Sequence, residues 1–296
     1  MNEKNKTVQE PLIGAHVGIG GGLSKAIPRA LEIGANCIQI FVSAPQQWRE
    51  PAHPDKEVQL FIDAYNQSNF RAIFLHAIYL LNPAAPNTEL REKSISSIIS
   101  YLHWGKRLGA QGVVIHLGSS SGTTREEAEK NLVNSVKTAL DNTDEVPVLL
   151  ETSAGTKNSL GSTFDDLARI LYKIGDTKRA AICLDTAHIW AAGYDLSSED
   201  AVNQTFEEFD QKIGLDKLKL IHANDTNVRI GGGRDRHENI GEGIIGERGW
   251  KALLTNPGIR FKPWILETPQ IADKNSGAEQ IKKLRQWWEG KDDIGT

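Results

Sequence analysis

Ala181-Ile182-Cys183-Leu184-Asp185-Thr186-Ala187-His188 carries the pattern that decides the fold: a short, unbroken apolar run that stops on a carboxylate, with an imidazole one helical turn further on. An apolar run of this length without strict alternation fits a strand buried on both faces, as in a parallel sheet. The pattern returns on both sides of this stretch. Upstream lie Leu12–His16, Cys37–Val42, Ala72–His76, Gly112–His116 and Val146–Glu151; downstream lie Leu218–His222 and Trp264–Glu267. That makes eight strand-like runs.

The segments between them have helical period and helical punctuation. Ser24 stands before Ala26, Ile27, Ala30 and Leu31, which share one apolar stripe, and Pro28 falls in or just after the first turn, where a missing N–H costs least. Thr124-Arg125-Glu126-Glu127 and Thr163-Phe164-Asp165-Asp166 read as capping boxes, the second with Asp in place of Glu. Between Ser94 and Leu108 the apolar positions Ile95, Ile98, Ile99 and Leu102 make a helical face, and Gly34, Gly109 and Gly175 sit where helices should stop. Eight strands alternating with helices predict an α/β chain folded as a (β/α)8 TIM barrel, with a doubly wound open sheet as the competing topology.

Such a barrel uses roughly 250 residues, so 296 residues hold one domain, over 11–296, behind a polar extension at 1–10 that is expected to be flexible. The tail from Gly290 to Thr296 reads the same way. A net charge of −4 argues against a passive nucleic-acid coat, but not against an enzyme with a locally basic rim. Cys37 and Cys183 sit in apolar runs and read as small buried hydrophobes, not as a disulfide pair. The N-terminus lacks the apolar core of a signal peptide, and no apolar run approaches the ~20 residues that span a bilayer. The expectation is a cytoplasmic protein with no membrane contact.

The chemistry lies at the strand ends. Seven of the eight runs reach a residue able to bind a metal: His16, His76, His116, Glu151, Asp185, His222 and Glu267. In a barrel these ends converge on one mouth. Clustered carboxylates there repel one another unless cations neutralise them. Asp185-Thr186-Ala187-His188 adds a histidine to the same mouth, and Asp235-Arg236-His237 places two more donors at i and i+2, on one side of an extended backbone. Excluding His16, the set is His76, His116, Glu151, Asp185, His188, His222, Asp235, His237 and Glu267. Five of these nine are imidazoles, in a chain with eight histidines. Mixed nitrogen and oxygen ligation favours zinc, with manganese or iron as substitutes, over magnesium or calcium. Nine donors exceed one tetrahedral site and suit three ions with one shared carboxylate; clustered ions about 3.5–4 Å apart are a standard device for in-line displacement at phosphorus.

His16 reads either as a ligand or as a partner that orients one. His53, in Pro51-Ala52-His53-Pro54, reads as a surface-loop residue, and His103, inside a helical pattern, as a solvated or capped core histidine. Gly18-Ile19-Gly20-Gly21-Gly22 lacks both the dinucleotide fingerprint and the P-loop Lys-Ser/Thr, and reads as a tight loop whose N–H groups are candidates to touch a phosphate.

Taken in order, Gly14-Ala15-His16-Val17, Val113 to Gly118, Leu150 to Gly155, Leu184 to His188, Ala192 to Asp195, His222-Ala223-Asn224-Asp225, Asp235-Arg236-His237, Gly241 to Gly246 and Leu266-Glu267-Thr268 resemble the endonuclease IV family across residues 12 to about 288. The resemblance implies three zinc ions: one on His76, His116 and Glu151; a second on Glu151, Asp185, His222 and Glu267; a third on His188, Asp235 and His237. It implies hydrolysis of the phosphodiester 5′ to an abasic site in double-stranded DNA by a metal-bridging hydroxide, leaving a 3′-hydroxyl and a 5′-deoxyribose phosphate, with trimming of 3′-blocking groups besides. Tyr79 and Leu80 match a loop that probes the duplex at the lesion. Gln46 and Trp48 lie in the second loop, where some members carry a wedging arginine at the position of Gln46. Arg229, Arg234 and Arg236 are candidate phosphate clamps. The protein is expected to act as a monomer. The chief rival is a single-metal sugar isomerase or epimerase on the same barrel, which needs only Glu151, Asp185, His222 and Glu267; a lesion-binding module without chemistry would not need Glu151 intact.

Overall fold

A computed structural model describes residues 10–176 and 178–291, so the extension at 1–10 and the tail at 290–296 lie almost wholly outside the described residues. Eight parallel strands close on one another in chain order: β1 Ile13–His16, β2 Cys37–Ile40, β3 Ala72–His76, β4 Val113–Ile115, β5 Val148–Glu151, β6 Ala180–Asp185, β7 Leu218–Ala223 and β8 Trp264–Leu266. Ala15 of β1 faces Ile38 of β2 on one side and Leu266 of β8 on the other, so the sheet has no edge. That closure excludes the doubly wound alternative.

The strands run within two residues of their expected bounds. Pro147 has no N–H for the ladder, so β5 starts after it. Both faces of the strands are buried because each packs against something different. Cys37, Ala72, Phe74, Val114, Leu149, Ala181, Cys183, Leu220 and Ile265 fill the barrel interior as one cluster. The alternate residues, Ile73 and Leu75 among them, join the larger core beneath the helices. Both cysteines are free and buried, and burial pushes each thiol up to about 12. At Gly14 the fit is tightest, since a Cβ there would lie 1.8 Å from the Cys37 carbonyl oxygen.

Among the described residues the helices are α1 Ala26–Glu32, α2 Asp55–Asn66, α3 Thr88–Leu108, α4 Arg125–Asp141, α5 Phe164–Ile174, α6 Thr186–Ala192, α7 Glu199–Lys212, α8 Gly246–Thr255 and α9 Lys274–Trp288. Thr124 and Thr163 cap α4 and α5, accepting from the Glu127 and Asp166 N–H groups. Asp166 does not return the bond; its carboxylate pairs with Arg125 and Arg169. Gly109 and Gly175 end α3 and α5 in the left-handed conformation. Two helix signals are corrected. Ser24 caps nothing: it lies in a 3-10 turn, and its hydroxyl and N–H both donate to Glu57 Oε1. Leu31 leaves the apolar stripe and is 43% exposed, because α1 buries only Ala26, Ile27 and Ala30 against the barrel. No helix among the described residues is long and apolar enough to cross a membrane.

Candidate metal centre

Closure of the barrel brings the strand-end donors to one mouth. His16, His76, Glu151 and Asp185 are the last residues of β1, β3, β5 and β6. His222 stands one residue before the end of β7, while His116 and Glu267 follow β4 and β8 by one. His188 enters from the first turn of α6, because the Asp185 side chain caps that helix by accepting from the His188 N–H at 2.9 Å. Asp235 and His237 arrive on the long loop after β7.

These donors fall into three groups, each with its ligand atoms within 4.8 Å of one another: His76, His116 and Glu151; Glu151, Asp185, His222 and Glu267; and Asp185, His188 and His237. Glu151 joins the first two. Its Oε2 lies 3.3 Å from His76 Nε2 and 3.0 Å from His116 Nε2, and its Oε1 lies 3.1 Å from His222 Nδ1. The third group contains Asp185, and Asp235 reaches it from the open side, with Oδ2 3.2 Å from His188 Nε2 and Oδ1 3.2 Å from His237 Nε2.

The charges show what such a cluster needs. Burial opposes ionisation of Glu151, yet the His116 and His222 imidazoles beside it hold the carboxyl well below its usual range. Glu267 is lowered likewise, against burial, by His222 and His16. Burial would lower the histidines, but Asp185 and Asp235 raise His188 well above its usual value and raise His237 to about 9. His222 is raised in the same way, with Cys183 and Glu267 as the leading opponents of burial. In the protein by itself, then, protons on imidazole balance the buried carboxylates. Metal ions would replace those protons. Glu151 Oε2, His188 Nε2 and His237 Nε2 are buried without a hydrogen-bond partner, and all three point into the donor groups. Orphaned atoms of this kind are costly unless a ligand satisfies them, so the residues present fit bound cations.

Several supporting residues escaped the reading of strand ends. Asn224 donates from Nδ2 to Asp185 Oδ2 at 2.7 Å and accepts from the Glu267 N–H at 2.9 Å, tying two donors together. The Thr152 hydroxyl accepts from the Asp185 N–H, and its carbonyl lies 2.8 Å from His188 Nδ1. On β2, the one strand without a donor at its end, Gln39 is fully buried and reaches Glu267, His16 and His222. A polar residue within Cys37-Ile38-Gln39-Ile40 was the available signal. His16 Nδ1 lies 2.8 Å from Glu267 Oε1, and His16 belongs to none of the three donor groups.

At the rim, Tyr79 is 50% exposed, packs edge-on to His76, and keeps its phenol protonated because burial and the Glu267 and Glu151 charges push it up to about 12. Its N–H donates to the Pro45 carbonyl at 3.0 Å, which joins the loops after β2 and β3. Leu80, Gln46 and Trp48 are exposed on those loops. A cavity of about 700 Å³ opens beside them between the β1 and β2 loops, with His16, Arg49, Tyr79 and Glu267 in its wall. On the loop after β7, Arg229, Arg234 and Arg236 line a hollow of about 600 Å³. Their loop is stitched to α6 by Trp190 Nε1, which donates to the Val228 carbonyl at 2.8 Å. His53, expected to be a plain surface residue, is half-buried: it bonds the Val42 carbonyl at 2.8 Å and packs edge-on against Trp104. His103 is solvent-exposed on α3.

A family profile described as a xylose isomerase-like TIM barrel matches residues 27–290. A probable endonuclease 4 from Halothermothrix orenii is 38% identical over 274 residues, covering 92% of this chain and 99% of the relative. Endonuclease IV from Thermus thermophilus superposes with a TM-score of 0.84 at 30% identity, over 95% of this chain and 100% of that one. A D-tagatose 3-epimerase-like protein superposes at 0.70 with 22% identity, over 93% of this chain and 97% of that one, a likeness of fold alone. Full-length coverage at this identity, on a barrel whose strand ends gather imidazoles and carboxylates, means that the chain belongs to the endonuclease IV family, hydrolases built on the xylose isomerase-like TIM barrel.

Proposed function

We propose that this protein is a zinc-dependent endonuclease that hydrolyses the phosphodiester 5′ to abasic sites in double-stranded DNA, leaving a 3′-hydroxyl and a 5′-deoxyribose phosphate. The observation that carries the proposal is the continuity of the donor groups. Glu151 turns one oxygen to His76 and His116 and the other to His222, and Asp185 continues the chain to His188 and His237. Zinc ions held there would supply Lewis acidity toward the phosphodiester and lower the pKa of water. His76, His116 and Glu151 would hold one ion; Glu151, Asp185, His222 and Glu267 a second; His188, Asp235 and His237 a third. Manganese or iron are acceptable substitutes for this donor set.

The chain's other residues would bind and orient. Arg229, Arg234 and Arg236 offer cations to the phosphate backbone beside the mouth. Tyr79, with its phenol neutral, and Leu80 stand where an extruded abasic sugar would enter, and such a nucleotide costs least to extrude because its base is missing. Gln46 and Trp48 extend this surface along the duplex. The same access suits 3′-end trimming, since a 3′-blocking group also presents a phosphodiester or phosphate ester at the mouth. We propose that one chain suffices, because all nine donors come from it.

Incubation of zinc-replete protein with a duplex carrying a single abasic analogue is the test. The expected result is one nick on the 5′ side of the lesion, lost by several orders of magnitude in Glu151→Gln. An unbroken duplex would reject the function. The isomerase reading has one observation in its favour, the compact Glu151, Asp185, His222 and Glu267 group. It leaves five donors without a role, four of them buried or half-buried, and a metal content of one ion per chain would favour it.

A further inference from the structure

β2 brings no metal donor to the mouth, yet its Gln39 is fully buried and touches two of the proposed ligands. Its Nε2 donates to Glu267 Oε1 at 2.7 Å, and its Oε1 lies 2.9 Å from His222 Nε2. An ionised carboxylate only accepts, so the NH2 end of the amide must face Glu267 and the carbonyl end must face His222. A carbonyl cannot donate. The shared proton therefore belongs to His222 Nε2, and Nδ1 is the nitrogen left to give up its proton to a metal ion. Nδ1 is the atom that faces Glu151 Oε1 at 3.1 Å, Glu267 Oε2 at 3.2 Å and Asp185 Oδ2 at 3.9 Å.

The other histidines of the centre are set the opposite way round. His76 Nδ1 lies 2.7 Å from the Ala77 carbonyl, His188 Nδ1 2.8 Å from the Thr152 carbonyl, and His237 Nδ1 3.3 Å from the Glu267 carbonyl. Each of those main-chain oxygens holds a proton on Nδ1 and leaves Nε2 toward the carboxylates; His116 also turns Nε2 to Glu151. His222 alone turns Nδ1 inward, and a side chain performs the task that main-chain carbonyls perform elsewhere. An amide in the barrel core is costly to bury without hydrogen bonds, and here its bonds go to two donors of the centre and to His16, which itself contacts Glu267.

We infer that Gln39 is a positioning residue that selects the Nε2–H tautomer of His222, presenting Nδ1 to the ion shared with Glu151, Asp185 and Glu267, and that the same amide pins Glu267. The inference rests on the zinc reading above. Gln39 touches no substrate; it acts through the two donors it orients.

The test is nitrogen-15 NMR of the zinc-loaded protein labelled at histidine, together with zinc titration against a chelator for wild type and Gln39→Met. Methionine keeps the volume and loses the amide's hydrogen bonds to Glu267, His222 and His16. The expected spectrum has His222 protonated on Nε2 and metallated through Nδ1. In Gln39→Met that signature is lost, and one of the three ions binds about 10–100-fold more weakly, the usual cost of losing an orienting partner. Wild type that holds three zinc ions with His222 protonated on Nδ1 overturns the inference and leaves the zinc reading standing. Wild type that takes up no zinc overturns both. A folded Gln39→Met with wild-type zinc affinities also overturns it; if that variant fails to fold, the wild-type spectrum alone decides.

Discussion

Asp225 lies at the root of the loop that carries Asp235 and His237, and Asp225→Ala separates the support of that loop from its ligands. The carboxylate is fully buried and accepts four hydrogen bonds: from the N–H groups of Thr226 at 2.8 Å, Gly241 at 3.0 Å and Ile245 at 3.2 Å, and from Trp250 Nε1 at 2.8 Å. The loop closes so tightly around it that a Cβ on Gly243 would lie 2.3 Å from Asp225 Oδ1. Alanine would strand the Gly241, Ile245 and Trp250 donors, at about 1–3 kcal/mol for each buried group left unpaired. Water entering the space left behind recovers part of that, so the expected loss is about 3–5 kcal/mol, within the range for broken buried networks. With its anchor gone, the loop would present Asp235 and His237 poorly, and the third ion should be the one lost. Urea unfolding gives the stability, and metal analysis after gel filtration gives the stoichiometry. Wild-type stability with three ions per chain would refute the reasoning.

Three further outcomes follow from the geometry. His237 is raised to about 9 in the folded protein, burial being outweighed by Asp185 and Asp235, against 6.5 when unfolded. Its protonated form therefore stabilises the metal-free fold fully below pH 6.5, by on the order of 3 kcal/mol, and that contribution fades as pH rises through about 9. Zinc competes with this proton, so the gap in melting temperature between loaded and stripped protein should widen from pH 6.5 to 9; a constant gap in calorimetry would contradict the assignment. Neutralising a phosphate-contacting arginine among Arg229, Arg234 and Arg236 should reduce the salt slope of DNA binding by roughly 0.9, and an unchanged slope in all three alanine variants would remove that loop from the interface. Gly14→Ala should prevent formation of the native barrel, because its Cβ would lie 1.8 Å from the Cys37 carbonyl oxygen; a soluble variant with the native far- and near-ultraviolet circular dichroism would show that β1 and β2 can separate at low cost.

The strands and their donors were legible because both signals are local. A run such as Val148–Glu151 is apolar on both faces whatever surrounds it, and its final carboxylate stands out against that background. Alternation with helices then limits the topology, and a closed parallel barrel sends every strand's C-terminal end to the same mouth. The partners across the barrel were not legible. Gln39 is one polar letter in an apolar strand, and its value appears only when β2 is set beside β1 and β3 with Glu267 and His222 in reach. Asn224 and Asp225 sat within a recognised stretch without a role, since their partners lie up to 43 residues away. Ser24 and Leu31 misled for the same reason: a cap needs a free N–H and a stripe needs a facing surface, and Ser24 is taken by Glu57 while Leu31 faces solvent. By itself, then, the sequence determined the eight strands, their order and the nine candidate donors, because periodicity and chemistry reside in neighbouring residues. Only the tertiary structure decided which oxygen of Glu151 meets which imidazole and which nitrogen of His222 turns inward, because those choices depend on contacts between chain segments far apart in sequence.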